Sequence, residues 1–243
     1  MPSIDRSLAL TLLPAVLGVI AGSTDIITYL GLGGLFSAHI TGNLALLAAH
    51  LVTGSTARAA LILAVPVFVL ALGLTRLLAA GLAAAGIASL RPLLVLQFVL
   101  LAGCLTLSAP GVTGGPPLDP TGAWALAAGM LAVSAMAVQN ALVQLSLSGA
   151  PATAVMTTNV TRFTLDVGEV LLGRDPGERV VARRRARHTW PAIAGFLVGA
   201  GGGAAGFAVA GLWALGLPAG LALLALALAL VPPPDGGPNR SGR

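Results

Sequence analysis

The chain has 243 residues, of which 56% are hydrophobic and only 9% are charged, whereas about a quarter of the residues in a soluble domain are charged. The net charge is +5 and every strongly basic side chain is an arginine. Few aromatic residues lie among these arginines, which argues against nucleic acid as a partner. A single cysteine, Cys104, excludes an intrachain disulfide or a cysteine zinc cluster. We therefore expect the lipid bilayer to be the main partner.

Hydrophobic segments follow one another along the whole chain. A bilayer core about 30 Å thick needs roughly 20 apolar residues per helix, and six segments come close to that length or reach it. They are predicted at Ala9 to Gly31, Ala60 to Leu78, Pro92 to Ser108, Ala123 to Leu147, Trp190 to Leu212 and Leu215 to Val231. Two shorter or more polar segments run from Ser37 to Val52 and from Ala152 to Leu172.

The predicted fold class is all-α: a polytopic integral membrane helical bundle with six full transmembrane helices and two short or broken segments. It forms a single transmembrane domain over residues 1–234, followed by a disordered cytoplasmic tail at residues 235–243. The apolar N-terminus also has features of a signal peptide. We expect it to be the first transmembrane helix, since similar segments follow throughout the chain.

The positions of the arginines predict the orientation. The loop at residues 174–187 holds six of them, so it is expected to be cytoplasmic. If neither short segment crosses the membrane, both termini and the hairpin of Arg76 and Arg91 are also cytoplasmic, and only Arg58 disagrees. If both cross, Arg58 lies on the cytoplasmic side as the arginine bias requires, but Arg76 and Arg91 lie outside. The first arrangement is favoured.

The sequence also contains a weak internal repeat. The segment Ala21 to Asn43 resembles Ala137 to Asn159, and both combine a polar cluster, an apolar half-helix, a glycine and a threonine-rich end. The repeat halves are residues 9–109 and 122–231. Three crossings per half would place the halves in opposite orientations, as in many secondary transporters. The alternative is a plain duplication in a passive bundle.

The residues that repeat also carry a resemblance to a known family. Ala21-Gly22 with Asp25, Gly33-Gly34-Leu35-Phe36, Thr41-Gly42-Asn43 and Gln139-Asn140-Ala141 resemble motifs of the YoaK-like family of uncharacterised bacterial inner-membrane proteins. One departure is that Thr158 replaces the second-half glycine. The resemblance implies a multi-pass protein of the bacterial inner membrane for which transport is suspected, with no catalytic residue to carry over.

Polar side chains in the first half form the first candidate site. Asp25 lies in an apolar helix, where an ionisable group is costly unless it is paired. A cation, a proton or His39 would balance its charge; the alternative is a protonated or hydrogen-bonded structural residue at the end of a span. His39, Thr41 and Asn43 lie at the start of a short helix that Ser37 would cap, and a helix N-terminus suits an anionic or polar solute. The alternative is that these groups only join helices.

The second half offers corresponding candidates. Gln139 and Asn140 lie within an apolar helix, and Thr157 and Asn159 lie in the threonine-rich segment that follows. Further along, Arg162 and Asp166 have the spacing of an ion pair, which is either a gate or a solvated helix end. Glycines also recur every fourth residue and predict close helix packing, within the chain or in a homodimer; they are Gly195, Gly199 and Gly203.

The expected function is therefore a small-solute permease or secondary transporter of unknown substrate. The main alternative is a membrane scaffold or assembly partner that transports nothing. The sequence has no metalloprotease, phosphate-binding-loop or serine-hydrolase motif. We expect no enzymatic activity, no cofactor and no metal.

Overall fold

A computed structural model of the chain describes residues 6–53, 59–108, 118–120, 122–147, 151, 153 and 156–230. These residues form helices and no strands. The helices are α1 (Arg6–Gly31), α2 (Ile40–Thr53), α3 (Ala59–Ala84), α4 (Leu90–Ser108), α5 (Ala123–Ser146), α6 (Met156–Leu172), α7 (Pro176–Ala210) and α8 (Gly216–Leu230). A 3-10 turn, Gly211–Leu215, joins α7 to α8. The predicted tail and residues 109–117 of the loop between α4 and α5 lie outside the described residues.

The helices confirm the predicted class of fold. Five described stretches are long and apolar enough to cross a membrane, and the last of them, residues 176–230, contains both α7 and α8. Each predicted segment coincides with a helix, and the two short segments are α2 and α6. The chain is a multi-pass helical membrane protein.

The arginine-rich segment differs from its prediction. It is not a loop, because α7 begins at Pro176 and continues to Ala210. Asp175 caps this helix by accepting a hydrogen bond from the backbone N–H of Gly177, and Pro176 suits the first helical turn. At 35 residues, α7 is about 52 Å long. It is therefore long enough to extend beyond a hydrocarbon core about 30 Å thick.

Contacts between the long helices fix their relative directions. Gly195 of α7 lies against Ala15 of α1, and Gly203 lies against Ser23, so α1 and α7 run parallel. In contrast, α4 and α5 run antiparallel, because Gly103 meets Leu131 and Gln97 bonds to Gln139. The helices α3 and α5 are parallel. The N-terminal residues of both helices line one cavity, and residues further along both helices line another.

The remaining contacts complete an alternating order. Gly31 at the end of α1 meets Leu212 just before α8, and α8 packs along α1 in the opposite direction. The end of α8 lies at the start of α4, where the Arg91 side chain donates to the Ala229 carbonyl. The helices α1, α4 and α7 therefore run one way, and α3, α5 and α8 run the other way.

The helix contacts of the two halves also correspond. Helices α1 to α4 of the first half can be matched, in that order, with α5 to α8 of the second half. Under this matching, the packing of α1 against α7 corresponds to the packing of α5 against α3, and both pairs of helices are in contact. Likewise, α2 with α3 becomes α6 with α7, and α4 with α5 becomes α8 with α1. Corresponding helices in the two halves run in opposite directions.

Glycines form the contact between α1 and α7. Gly18 and Gly22 of α1 face the backbone of α7, and a glycine stripe of α7 faces the backbone of α1 at Gly195, Gly199 and Gly203. The predicted close packing thus occurs within the chain. Gly202, on another face of α7, has open space around its Cα.

Candidate functional site

The first helix break follows α1. The helix ends at Gly31 because Gly33 and Gly34 adopt left-handed φ angles of 76° and 82°. The backbone N–H of Gly34 donates to the carbonyl of Tyr29 at 2.9 Å, which satisfies one carbonyl of the last turn. The chain then folds back along α1. Ala38 comes to lie beside Asp25, about 9 Å before the helix end.

Asp25 is the centre of this break. One carboxylate oxygen, Oδ1, accepts hydrogen bonds from the backbone N–H groups of Ala38 at 2.7 Å and His39 at 3.3 Å. The other oxygen, Oδ2, lies 2.6 Å from Nδ1 of His39. Asp25 is only 4% exposed. Of the three predicted ways to balance its charge, the structure shows the pairing with His39.

Asn43 holds the same break from the other side. Its side-chain oxygen accepts from the backbone N–H of Phe36 at 2.9 Å, and its side-chain nitrogen donates to the Phe36 carbonyl at 2.7 Å. Asn43 is fully buried. It therefore fixes the shape of the break and is not an open solute ligand.

The predicted cap of the short helix is wrong. The helix α2 begins at Ile40, and the Ser37 hydroxyl is buried without a hydrogen-bond partner among the described residues. The carboxylate of Asp25 accepts from the backbone N–H groups just before α2, so it occupies the place expected for an anionic solute.

Aromatic rings surround the histidine. Phe36 stacks on Tyr29 with ring centroids 4.6 Å apart, and His39 makes edge contacts with Phe36 at 6.1 Å and with Phe196 of α7 at 5.4 Å. The His39 side chain is still 38% exposed. Its Nε2 atom has no hydrogen-bond partner within the described part of the chain. Nε2 is therefore the reactive atom of this cluster that remains accessible.

The second helix break contains a different polar cluster. Gln139 of α5 donates to the Thr153 hydroxyl at 2.8 Å and to the Leu17 carbonyl of α1 at 2.9 Å. Its oxygen accepts from Gln97 of α4 at 2.6 Å. All three side chains are buried, and Oε1 of Gln97 has no partner among the described residues. This cluster has no titratable group, so it joins three helices without carrying charge.

Other predicted site residues lie elsewhere. Asn140 bonds to the Met136 carbonyl of its own helix, and Thr41 and Thr157 are exposed. Asn159 is buried and lies 4.0 Å from the Met156 sulfur. The structure therefore assigns Gln139, not the neighbouring Asn140, to the second polar centre.

The two polar centres lie apart in the bundle. Asp25 and Leu17, which contacts Gln139, are eight residues apart on α1, or about 12 Å. Ile20 and Ala21 lie between them and belong to a buried apolar cluster that includes Met136. An apolar layer thus separates the Asp25 cluster from the Gln139 cluster.

The predicted pair of Arg162 and Asp166 is wrong. Oδ1 of Asp166 instead accepts two hydrogen bonds from Arg185 of α7, at 2.8 and 2.6 Å. Spacing within one helix could not reveal this partner, which comes from the neighbouring helix. Arg162 lines a nearby cavity of about 440 Å³ that Asp166 and Arg185 also line. The pair joins α6 to the first turns of α7, at the end of the bundle where α7 begins.

Sequence reasoning missed three residues of these clusters. They are Phe196, Gln97 and Thr153. Phe196 and Gln97 lie on helices that no motif connects with Asp25 or Gln139, whereas Thr153 lies in the same repeat segment as Gln139. Gln97 offered the clearest signal, since a carboxamide inside an apolar helix needs a partner. Phe196 offered none, because an aromatic residue in an apolar helix is ordinary.

Comparison with known proteins identifies the family. The sequence model of the family described as "Protein of unknown function (DUF1275)" matches residues 13–228. The chain therefore belongs to this family, in agreement with the resemblance to YoaK-like proteins. No curated protein and no solved structure matches significantly.

Proposed function

We propose that this protein is a secondary carrier for a small polar solute in the bacterial inner membrane. The observation that carries the proposal is the pair of Asp25 and His39, held inside an apolar bundle by a helix break. Ionisable side chains at membrane depth are costly and usually belong to solute or ion pathways. The half-exposed imidazole gives such a solute a polar atom to bind.

The architecture supports the same proposal. Two halves of opposite direction, each with a broken helix pair, are a recurring construction of secondary transporters. We propose that the halves are inverted repeats. The apolar layer between the two breaks would then separate the two faces of the membrane in a closed state, and movement of one half would open it.

The arginines support an orientation. All ten described arginines lie near the end of the bundle where α1, α4 and α7 begin, and by the positive-inside bias we propose that this end is cytoplasmic. Single cysteines in a Cys104→Ser background test this arrangement with an impermeant thiol reagent. Ala85→Cys and Arg184→Cys should react only from the cytoplasmic side, and Thr53→Cys and Ala123→Cys only from outside. Opposite sides for Ala85 and Arg184 would show that α6 crosses the membrane.

A specific observation also favours the scaffold alternative. The polar groups of both breaks bond mainly to the protein itself, and the two clusters lie apart. In that function they only fix helix positions, and Asp25 would matter for folding but not for flux.

Flux measurements separate the two functions. Purified protein in liposomes should take up at least one member of a panel of amino acids, organic acids, amines, sugars and inorganic ions. Asp25→Asn should reduce that uptake at least about tenfold, which corresponds to about 1.4 kcal/mol. Glu178→Gln removes an exposed carboxylate far from the break and should leave uptake unchanged. Folded protein without flux of any panel member would favour the scaffold.

A further inference from the structure

We infer that Asp25 and His39 together form a proton-binding site, which makes the proton the coupling ion of the proposed carrier. The inference deepens the proposed function by naming one ligand of the site. It starts from the geometry of the pair. An ionised carboxylate only accepts hydrogen bonds, so Nδ1 of His39 carries the hydrogen that points to Oδ2 of Asp25.

This arrangement leaves one atom for a proton. Both oxygens of Asp25 already have partners, whereas Nε2 of His39 has none within the described residues, and the ring is 38% exposed. A proton from water can therefore add to the lone pair of Nε2 without breaking another bond. Imidazole is also the side chain whose charge ordinarily changes near neutral pH.

The charge of the pair explains why protonation would matter. With the added proton, an imidazolium faces a carboxylate and the pair is neutral; without it, the pair has a net charge of −1. A net charge in an apolar bundle is unfavourable unless a partner compensates it. The deprotonated pair thus needs a hydrogen-bond donor or a cation at the exposed ring. A solute can supply either group, so the proton and the solute bind alternately.

The surroundings add no competing charge. Tyr29 is the other titratable side chain of this break, and it stacks on Phe36. On the neighbouring helices, α5 has no titratable residue, α7 has none after Thr189, and Arg76 of α3 lies near the opposite end. Within the described residues, His39 and Asp25 therefore determine the local charge.

The second break provides an internal comparison. Gln139 contacts Thr153 at the same sequence separation, 14 positions, as Asp25 and His39. Amide and hydroxyl groups do not titrate at physiological pH. Of these two contacts, only the pair in the first break can therefore respond to a proton.

The test is a titration of the single imidazole. The chain has three histidines, so a His50→Gln, His188→Gln variant leaves only His39. Its ring is observed by nitrogen-15 solid-state NMR in lipid bilayers between pH 5 and 9. We expect reversible exchange between neutral and protonated ring. If this variant does not fold, subtracting spectra of His39→Gln from those of the wild type isolates the same ring.

Two further variants decide the result. In Asp25→Asn, the ring should lose its proton at a lower pH than in the unchanged pair, because the carboxylate stabilises the imidazolium. Glu178→Gln should leave the midpoint unchanged, since that carboxylate is exposed and distant. A ring that keeps one state throughout the range, or an equal midpoint in both variants, overturns the inference. Solute flux without titration of His39 would contradict the proton site but leave the proposed carrier function intact. Titration of His39 without solute flux would support the proton site but contradict the carrier function.

Discussion

The two helix breaks hold polar groups of different chemistry. In the first, a carboxylate contacts an imidazole and two backbone N–H groups. In the second, a carboxamide contacts a hydroxyl, a backbone carbonyl and a second carboxamide. Both contacts join residues 14 positions apart in the chain. The comparison teaches that a helix break in this bundle can hold either a titratable pair or a neutral helix junction.

The two breaks also rest on different helix contacts. The first lies by the glycine contact of α1 with α7, and Phe196 of α7 reaches His39. At the contact of α5 with α3, Ala64 instead packs in a cluster with the larger side chains of Val67 and Val133. The backbones of α1 and α7 approach more closely because glycine has no side chain. The site in the first half therefore depends on small residues that lie outside the break.

The largest effect is expected from filling the glycine contact. Gly199→Leu would place a side chain against the backbone of Val19, so α1 and α7 must separate. We expect little folded protein by size-exclusion chromatography in detergent. Gly202→Leu adds the same side chain where nothing lies within 4 Å and should fold normally. Equal behaviour of the two variants would contradict the packing.

The next effect compares the two polar centres directly. Asp25→Leu leaves His39 and two backbone N–H groups without their acceptor, which should cost about 3 to 5 kcal/mol. Gln139→Leu removes neutral hydrogen bonds and should cost about 1 to 3 kcal/mol. The apparent Tm in detergent should therefore fall further for Asp25→Leu. The reverse order would show that the neutral junction is the more important of the two.

A smaller effect is expected where the first break is held in shape. Asn43→Ala removes both bonds to the Phe36 backbone and should cost about 2 to 3 kcal/mol. Thr41→Ala changes an exposed residue of the same helix turn and should be nearly neutral. Thermal unfolding measures both. A similar Tm for the two variants would contradict the role of Asn43.

The smallest effect addresses the departure of the second half from the family pattern. In the first half, a Cβ on Gly42 would lie 3.1 Å from the Phe36 ring, so Gly42→Ala should cost about 1 kcal/mol. Thr158 at the corresponding position is exposed, and Thr158→Ala should be neutral. Apparent Tm values again decide. A larger loss at Thr158 would show that the second threonine-rich segment is the more tightly packed.

Hydrophobic length gave most of the fold from the sequence, because a segment of about 20 apolar residues has few stable places outside a bilayer. The same reasoning selected Asp25, His39, Asn43 and Gln139, since polar groups in apolar segments need partners. It failed for the start of α7, where arginines predicted a loop. The Asp175 cap and the bond of Arg185 to Asp166 accompany a helix there instead.

The sequence by itself determined that this chain is a bundle of membrane helices interrupted by glycine, because transfer of apolar residues to lipid depends on composition and length. Tertiary structure alone decided which polar groups meet. The return of the first break to Asp25, the pairing of Gln97 with Gln139 and the approach of Phe196 to His39 join residues distant in the chain. Such contacts depend on helix direction and packing, which no local pattern contains.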